Sequence, residues 1–386
     1  MPVVPIENFY PDRLEEAVKA RGMTWKALAN AAQVKATTLS AYKCGDAKPS
    51  PEQLAKIATA LEFPESFFLR PAIIGAKLRG PRLFRSSSAL TKRAAEQAEA
   101  RLSLMSECLV FAERLLHLPQ PLFLDTYKQI TDPLLLSDED IERIALSVRE
   151  KLGFGLKPIT NLVRTLEKSG IAILRYETLS KLPIDGLSQH SELSRPLCAI
   201  FASDQSSLSR EYFSLSHELG HIVLHSQINE KRFDELADAK LLEDQANRFA
   251  ASFLLPATPF LSALASPTLG YFEYLKREWR ASIIVMIRRA HQLKRITHDE
   301  YSDLCMRRSQ KRQRIREPLD DFFEIEKPVL LKQIFTTLAE REGVKGHRIA
   351  EALCRNPSDL SGISGLPGDF FSDGSIADNV LNFSQN

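Results

Sequence analysis

One stretch constrains this chain more than any other: Phe-Ser-Leu-Ser-His-Glu-Leu-Gly-His-Ile-Val-Leu-His, residues 213–225. Leu215, Leu219, Ile222 and Val223 recur at helical spacing. The segment therefore predicts an amphipathic helix on which His217 and His221 stand one turn apart on one face. Two imidazoles so placed can share a single metal ion, with Glu218 beside them. With this chain's own His and Glu frequencies the pattern is expected about 0.01 times by chance, so a core helix with two satisfied histidines is the weaker reading. Zinc (Zn2+) favours nitrogen and carboxylate ligands in a tetrahedral shell, and a catalytic site leaves one position for a water that the metal acidifies. Glu218 would take that water's proton and pass it to the leaving amine.

A third ligand is needed, and Glu243 opens a second helical stretch that runs to Pro256. Apolar residues at 246, 249, 250, 253 and 254 define its inward face. Glu243 falls on that face with Ala246, Asn247, Ala250 and Leu254, whereas Asp244 shares a side with Arg248. Glu243 is therefore the expected ligand, and Asn247, one turn on, is placed to orient a ligand. His225 continues the series of fours. On a straight helix it lies ~12 Å from His217, too far to share the ion, and is expected to face the last carbonyls of the helix.

Arg-Glu-Tyr-Phe-Ser-Leu-Ser-His-Glu-Leu-Gly-His-Ile-Val-Leu-His (residues 210–225), followed by Glu-x-x-Ala-Asn-x-Phe-Ala-Ala-x-x-Leu-Leu-Pro, resembles the ImmA/IrrE metallopeptidases. Phe84-Arg85-Ser86-Ser87-Ser88 and Asp185-Gly186-Leu187-Ser188 also resemble stretches of that family. The resemblance implies a zinc endopeptidase that cuts transcriptional repressors in phage, mobile-element or stress control. Ser216 stands where the family often has Ala, and Pro256 follows two leucines where Met-Pro is usual. Neither change touches a ligand or the base.

The length of 386 residues accommodates two or three domains. A net charge of +2 excludes a globally basic nucleic-acid binder, though not a local patch. Cys44, Cys108, Cys198, Cys305 and Cys354 are scattered and odd in number, which fits reduced thiols in a cytoplasmic protein. The first residues lack a signal pattern, and no apolar run approaches the ~18 residues of a membrane span. Neither export nor membrane insertion is expected.

Residues 1–70 read as a helix-turn-helix domain: Asp12 to Ala20, Thr24 to Ala31, Ala36 to Lys43 and Pro51 to Leu61 are helical, punctuated by Gly22, a Gln33-Val34 turn and the Gly45 to Pro51 cluster. The order resembles lambda-repressor-like (XRE-type) domains, whose second helix of the pair enters the major groove. Gln33 occupies a turn position usually held by Gly, and Lys35 a cap usually held by Ser. Lys35, Thr37, Thr38, Ser40 and Lys43 are the expected DNA contacts. The lysines suit phosphates, while neighbours such as Ala36 and Ala41 are too short for bidentate base contacts. The other reading is a domain kept to dock on a partner repressor by homotypic packing.

Residues 71–130 read as a basic helical connector, with an amphipathic helix from Thr91 to Leu116. Residues 131–280 read as a zincin-like metallopeptidase domain. Helices start at Ser137 and Pro158, and residues 171–176, 183–187 and 197–202 are short β-like runs. Leu197 to Ala202 is the expected edge strand for an extended substrate, and residues 226–241 a cleft-shaping lid. Arg288, Tyr271, Tyr274 and His298 are unranked candidates for stabilising the oxyanion; Tyr212 lies on the wrong helical face.

Residues 281–386 read as a helical carboxyl-terminal region, with helices at 282–293, 298–308, 327–340 and 346–354, a basic loop at 307–316 and a frayed tail of about 20 residues. Leu330 to Leu353 echoes the spacing of the first two amino-terminal helices without amounting to a repeat. The whole reads as mainly α with a small β-sheet (α+β). The partners expected are a protein substrate and DNA; a homodimer is left open. The rival to the peptidase is a transcriptional regulator whose peptidase-like domain senses a metal or metabolite without turnover. A third reading is self-cleavage between the first domain and the connector, near residues 70–90.

Overall fold

The computed structural model describes residues 6, 8–85, 91–130, 132–177, 185–191, 195–203, 206–226, 228, 236–311, 313 and 316–372. In chain order the elements are α1 (Pro11–Ala20), α2 (Trp25–Ala32), α3 (Ala36–Cys44), α4 (Pro51–Leu61), α5 (Glu65–Phe68), β1 (Leu78–Arg85), α6 (Lys92–Glu113), α7 (Asp138–Lys151) and α8 (Leu162–Lys168). They continue with β2 (Ala172–Glu177), β3 (Gly186–Ser191), β4 (Pro196–Ala202), α9 (Leu208–Leu224), α10 (Leu236–Leu254), α11 (Ala257–Ala263), α12 (Leu269–Trp279), α13 (Ile283–Gln292) and α14 (His298–Gln310). The last are α15 (Leu330–Arg341), α16 (Gly346–Leu353) and α17 (Pro357–Ser364). The fold is mainly helical with one small sheet, the α+β class the sequence predicts. Two compact units divide the chain: residues 1–78, 91–118 and 329–386 form one, and residues 79–90 and 119–328 the other.

In the first unit, Leu14, Leu28, Leu39, Leu54 and Ile57 point from α1 to α4 into a common core that Phe67 and Phe68 of α5 close. Local chemistry sets the ends of these helices. Ser50 and Gln53 form a reciprocal capping box at α4, with Pro51 in the first turn, an arrangement worth about 1 kcal/mol. Gln33 takes the left-handed conformation (φ 54°) between α2 and α3, which a residue with a Cβ adopts at a cost. Lys35 caps α3 without a side-chain hydrogen bond. Glu107 of α6 is buried and accepts from Arg13 of α1 at 2.7 Å; it also accepts from Arg355, just before α17. A carboxylate with two guanidinium partners meets the requirement that a buried charge be paired.

In the second unit the sheet order is β1-β3-β4-β2. β2 runs parallel to β4, with Ala172 opposite Leu197, and β3 runs antiparallel to it, with Ser188 opposite Cys198. The expectation that Leu197 to Ala202 is an exposed edge is corrected here. Every residue of β4 is buried, and the strand is paired on both sides. Its continuous apolar run marks a central strand covered on both faces rather than an edge. β1 comes from the stretch read as connector, where no strand was expected. Pro183 and Ile184 of the second β-like run, Ser86 to Ser88, residues 229–235 of the expected lid, parts of the basic loop and the tail from 373 lie outside the described residues.

α9 is the central helix of this unit, with every residue from Leu208 to Leu224 buried except Arg210. Its first turn meets a buried ion network in which Lys276 of α12 donates to Asp320 (2.6 Å) and Glu317 (3.0 Å), while Ser209 donates to Asp320 at 3.5 Å. α10 crosses α9 at Gly220. A Cβ there would stand 3.1 Å from Phe249 Cδ1 and 3.3 Å from Ala246 Cα, so the missing side chain lets the two helices approach closely.

Candidate metal centre

The crossing of α9 and α10 brings His217, His221 and Glu243 together, with their candidate ligand atoms all within 4.8 Å of one another. The Nε2 atoms of His217 and His221 are 3.0 Å apart. Glu243 Oε2 lies 3.3 Å from His217 Nε2, and Oε1 lies 3.2 Å from His221 Nε2. Four ligands at 2.0–2.1 Å around a tetrahedral ion lie about 3.3–3.4 Å apart, close to the edges of this triangle. The two imidazoles are buried, and the carboxylate is 35% exposed.

The outer nitrogens of the rings settle which lone pairs face inward. His217 Nδ1 is 3.1 Å from Asn247 Oδ1, so it donates to the amide oxygen, and Nε2 keeps its lone pair for the triangle. On the other ring the chain of contacts is longer. Gln245 Nε2 donates to the Pro133 carbonyl at 2.7 Å, which leaves Gln245 Oε1 to accept from His225 Nε2 at 3.0 Å. His225 Nδ1 then accepts from His221 Nδ1 at 2.9 Å, and His221 also presents its Nε2 lone pair. This corrects the expectation for His225: it does not face the helix carbonyls but holds a candidate ligand in one tautomer. The reason is burial, because an imidazole with no access to water must find polar partners on neighbouring elements. The sequence reading missed Gln245. Its one signal is a polar residue on the inward side of α10, two positions after Glu243.

Glu218 is buried, and its Oε2 accepts from Ser188 Oγ of β3 at 2.6 Å. Gly186, two residues earlier on the same strand, has no Cβ where one would lie 2.7 Å from Glu218 Oε1 and 3.1 Å from its Cγ. Thus β3 forms a cradle for this carboxylate, with one residue giving a hydroxyl and another giving space. The sequence of the Asp185 to Ser188 stretch carries a family resemblance but no local signal for either contribution, because both depend on a helix from another segment.

Two of the oxyanion candidates have partners of their own. Tyr271 donates to the Ala263 carbonyl at 3.1 Å, His298 packs at 6.3 Å from the Tyr301 ring, and Tyr274 and Arg288 are exposed. The Tyr212 hydroxyl donates to Glu326 on the far side of α9. Arg248 pairs with Asp138 of α7, while Asp244 is exposed.

In the first unit, Lys35, Thr37, Ser40 and Lys43 are exposed at the start of α3 and along it, Thr38 is half-buried, and Lys43 Nζ stands 5.1 Å over the Trp25 ring. The surface is mildly basic and formed of short side chains. No helix among the described residues is long and apolar enough to cross a membrane. Residues 14–68 match the family model described as Helix-turn-helix, and residues 167–291 match the one described as IrrE N-terminal-like domain. No curated protein matches the chain.

Proposed function

We propose that this chain, which joins a helix-turn-helix domain to an IrrE N-terminal-like peptidase domain, is a cytoplasmic zinc-dependent endopeptidase that cuts a partner transcriptional repressor. His217, His221 and Glu243 would hold the ion. When bound, zinc supplies the Lewis acidity that sharpens a water and polarises the scissile carbonyl. Glu218 carries the proton, accepting it from the attacking water and delivering it to the leaving amine. Ser188 restricts the rotation of that carboxylate, and Asn247 and His225 keep both imidazoles turned inward.

The observation that carries this reading is the meeting of three ligand-type side chains within 4.8 Å beside a buried carboxylate that a neighbouring strand holds. On the DNA side, Lys35 and Lys43 would meet phosphates, with Thr37, Thr38 and Ser40 against the groove. Such contacts give salt-sensitive and weakly selective binding.

The test uses the full-length chain, its zinc content and incubation with purified helix-turn-helix repressors. Wild type is expected to hold about one zinc per chain and to cut one of them. Glu218→Gln should keep the metal and lose roughly 10²- to 10⁴-fold in cleavage rate, while Glu243→Gln should lose the metal. A zinc-loaded wild type that leaves every repressor intact, with metal-dependent regulation preserved, would refute the peptidase and favour a sensor.

A further inference from the structure

The helices α15 to α17 repeat the plan of α1 to α3. Each triplet has a left-handed residue after its first helix, Gly22 (φ 57°) and Gly343 (φ 68°). Each has another between its second and third helices, Gln33 (φ 54°) and Cys354 (φ 51°), and a left-handed glycine after the third, Gly45 and Gly365. At both middle turns the same hydrogen bond closes the motif: Val34 N–H donates to the Ala29 carbonyl, and Arg355 N–H to the Ala350 carbonyl, each at 3.0 Å. The cores keep step at one constant offset. Leu14 corresponds to Phe335, Ala17 to Leu338, Leu28 to Ile349, Ala32 to Leu353 and Leu39 to Leu360, and all ten are buried. A shared sequence of helix lengths, turns and core positions is the mark of one supersecondary unit used twice.

What differs is the helix in the reading place. α3 opens after Lys35 and ends near Lys43, whereas α17 (Pro-Ser-Asp-Leu-Ser-Gly-Ile-Ser) has no cation and carries Asp359. A helix without cations and with a carboxylate is repelled by phosphate. That carboxylate has a protein partner instead. Arg21, just after α1, donates through both terminal nitrogens to Asp359, each at 2.8 Å, and through Nε to the Leu61 carbonyl at 2.7 Å. Asn356, ahead of α17, donates to the Glu62 carbonyl. Arg355 lies 4.3 Å over the Phe67 ring, and Cys354 is part of the first motif's core.

We infer that residues 330–365 are a second helix-turn-helix in which the reading helix has turned from nucleic acid to protein: α17 clamps the first motif, so the chain carries its own helix-turn-helix partner and a single DNA-facing helix, α3. The inference does not depend on metal or proteolysis.

The test compares four full-length chains: wild type, Arg21→Asp, Asp359→Arg and the double exchange. Arg341 ends α15 and Lys345 caps α16, so tryptic cleavage after them, followed by mass spectrometry, requires the local backbone to open. Each single variant should be cut there roughly tenfold faster, because cleavage follows the population of the opened form, and the double exchange should return close to wild type. Unchanged cleavage in both single variants, or no recovery in the double, overturns the clamp. In parallel, Ser358→Glu and Gly362→Glu alter the positions that match Thr37 and Ala41. With a short random-sequence duplex at low salt, binding equal to wild type, including none in either, supports a DNA-silent α17. Weakened binding in either variant overturns it.

Discussion

Gly220→Ala sets two effects of known size against each other at the crossing that brings Glu243 to the histidines. Removing a glycine from the interior of a helix gains about 0.5–1 kcal/mol. Against that, the new methyl would stand 3.1 Å from Phe249 Cδ1 and 3.3 Å from Ala246 Cα, inside the ~3.5–4.0 Å of relaxed carbon contacts. Ala246 Cα is backbone and cannot rotate away, so α10 itself has to move by a few tenths of an ångström. Overpacking of this kind costs about 1–3 kcal/mol. The net effect is a loss of up to about 2 kcal/mol, with Glu243, three residues before Ala246, displaced from the imidazoles. A loss of ~1.4 kcal/mol in metal binding is a tenfold weaker Kd, and roughly that is expected. Urea denaturation of the metal-free chain and zinc competition against a coloured chelator measure the two parts. Gly270→Ala is the control, since its Cβ meets nothing within 4 Å and should gain up to about 0.5 kcal/mol. If Gly220→Ala gains the full helical benefit and binds zinc as wild type does, the close-approach reasoning is wrong.

Ser188→Ala removes a charge-assisted hydrogen bond of about 1.5–3 kcal/mol from the Glu218 carboxylate, so kcat/KM should fall roughly 10- to 150-fold with zinc content unchanged; zinc loss in parallel would mean a merely structural role. His225→Phe cuts the link between His221 and Gln245 and should weaken zinc binding about 10- to 100-fold, measured in the same chelator competition, where no change would remove His225 from the site's support. Among the thiols, burial pushes Cys108 up to about 12 and raises Cys198 well above the ordinary range, with the Glu218 charge adding to the latter. A raised thiol pKa lowers the thiolate fraction at pH 8, so iodoacetamide should label the exposed Cys44 first and reach Cys108 and Cys198 only after unfolding. Early labelling of Cys108, read by peptide mass spectrometry, would show that this core opens.

The parts of the fold that could be read in advance are those where residues near in sequence settle the matter. The αL turn at Gln33, the uncapped start of α3 at Lys35 and the capping box at Ser137 all depend on neighbours within four positions. β4 shows the limit. Its apolar run marks a buried strand, but its place between β2 and β3 depends on partners from other segments, and an edge and a centre can share one composition.

His217, His221, Glu218 and Glu243 were legible because helical periodicity fixes, from spacing alone, which side chains share a face. Nothing of that kind foretells that Ser188 and Gly186 cradle Glu218, that Gln245 reaches back through His225 to His221, or that Asp359 seeks Arg21 from the opposite end of the chain. Those pairings join segments that approach only once the cores have closed. Burial then decides them, because a polar group removed from water takes whichever partner the packing delivers.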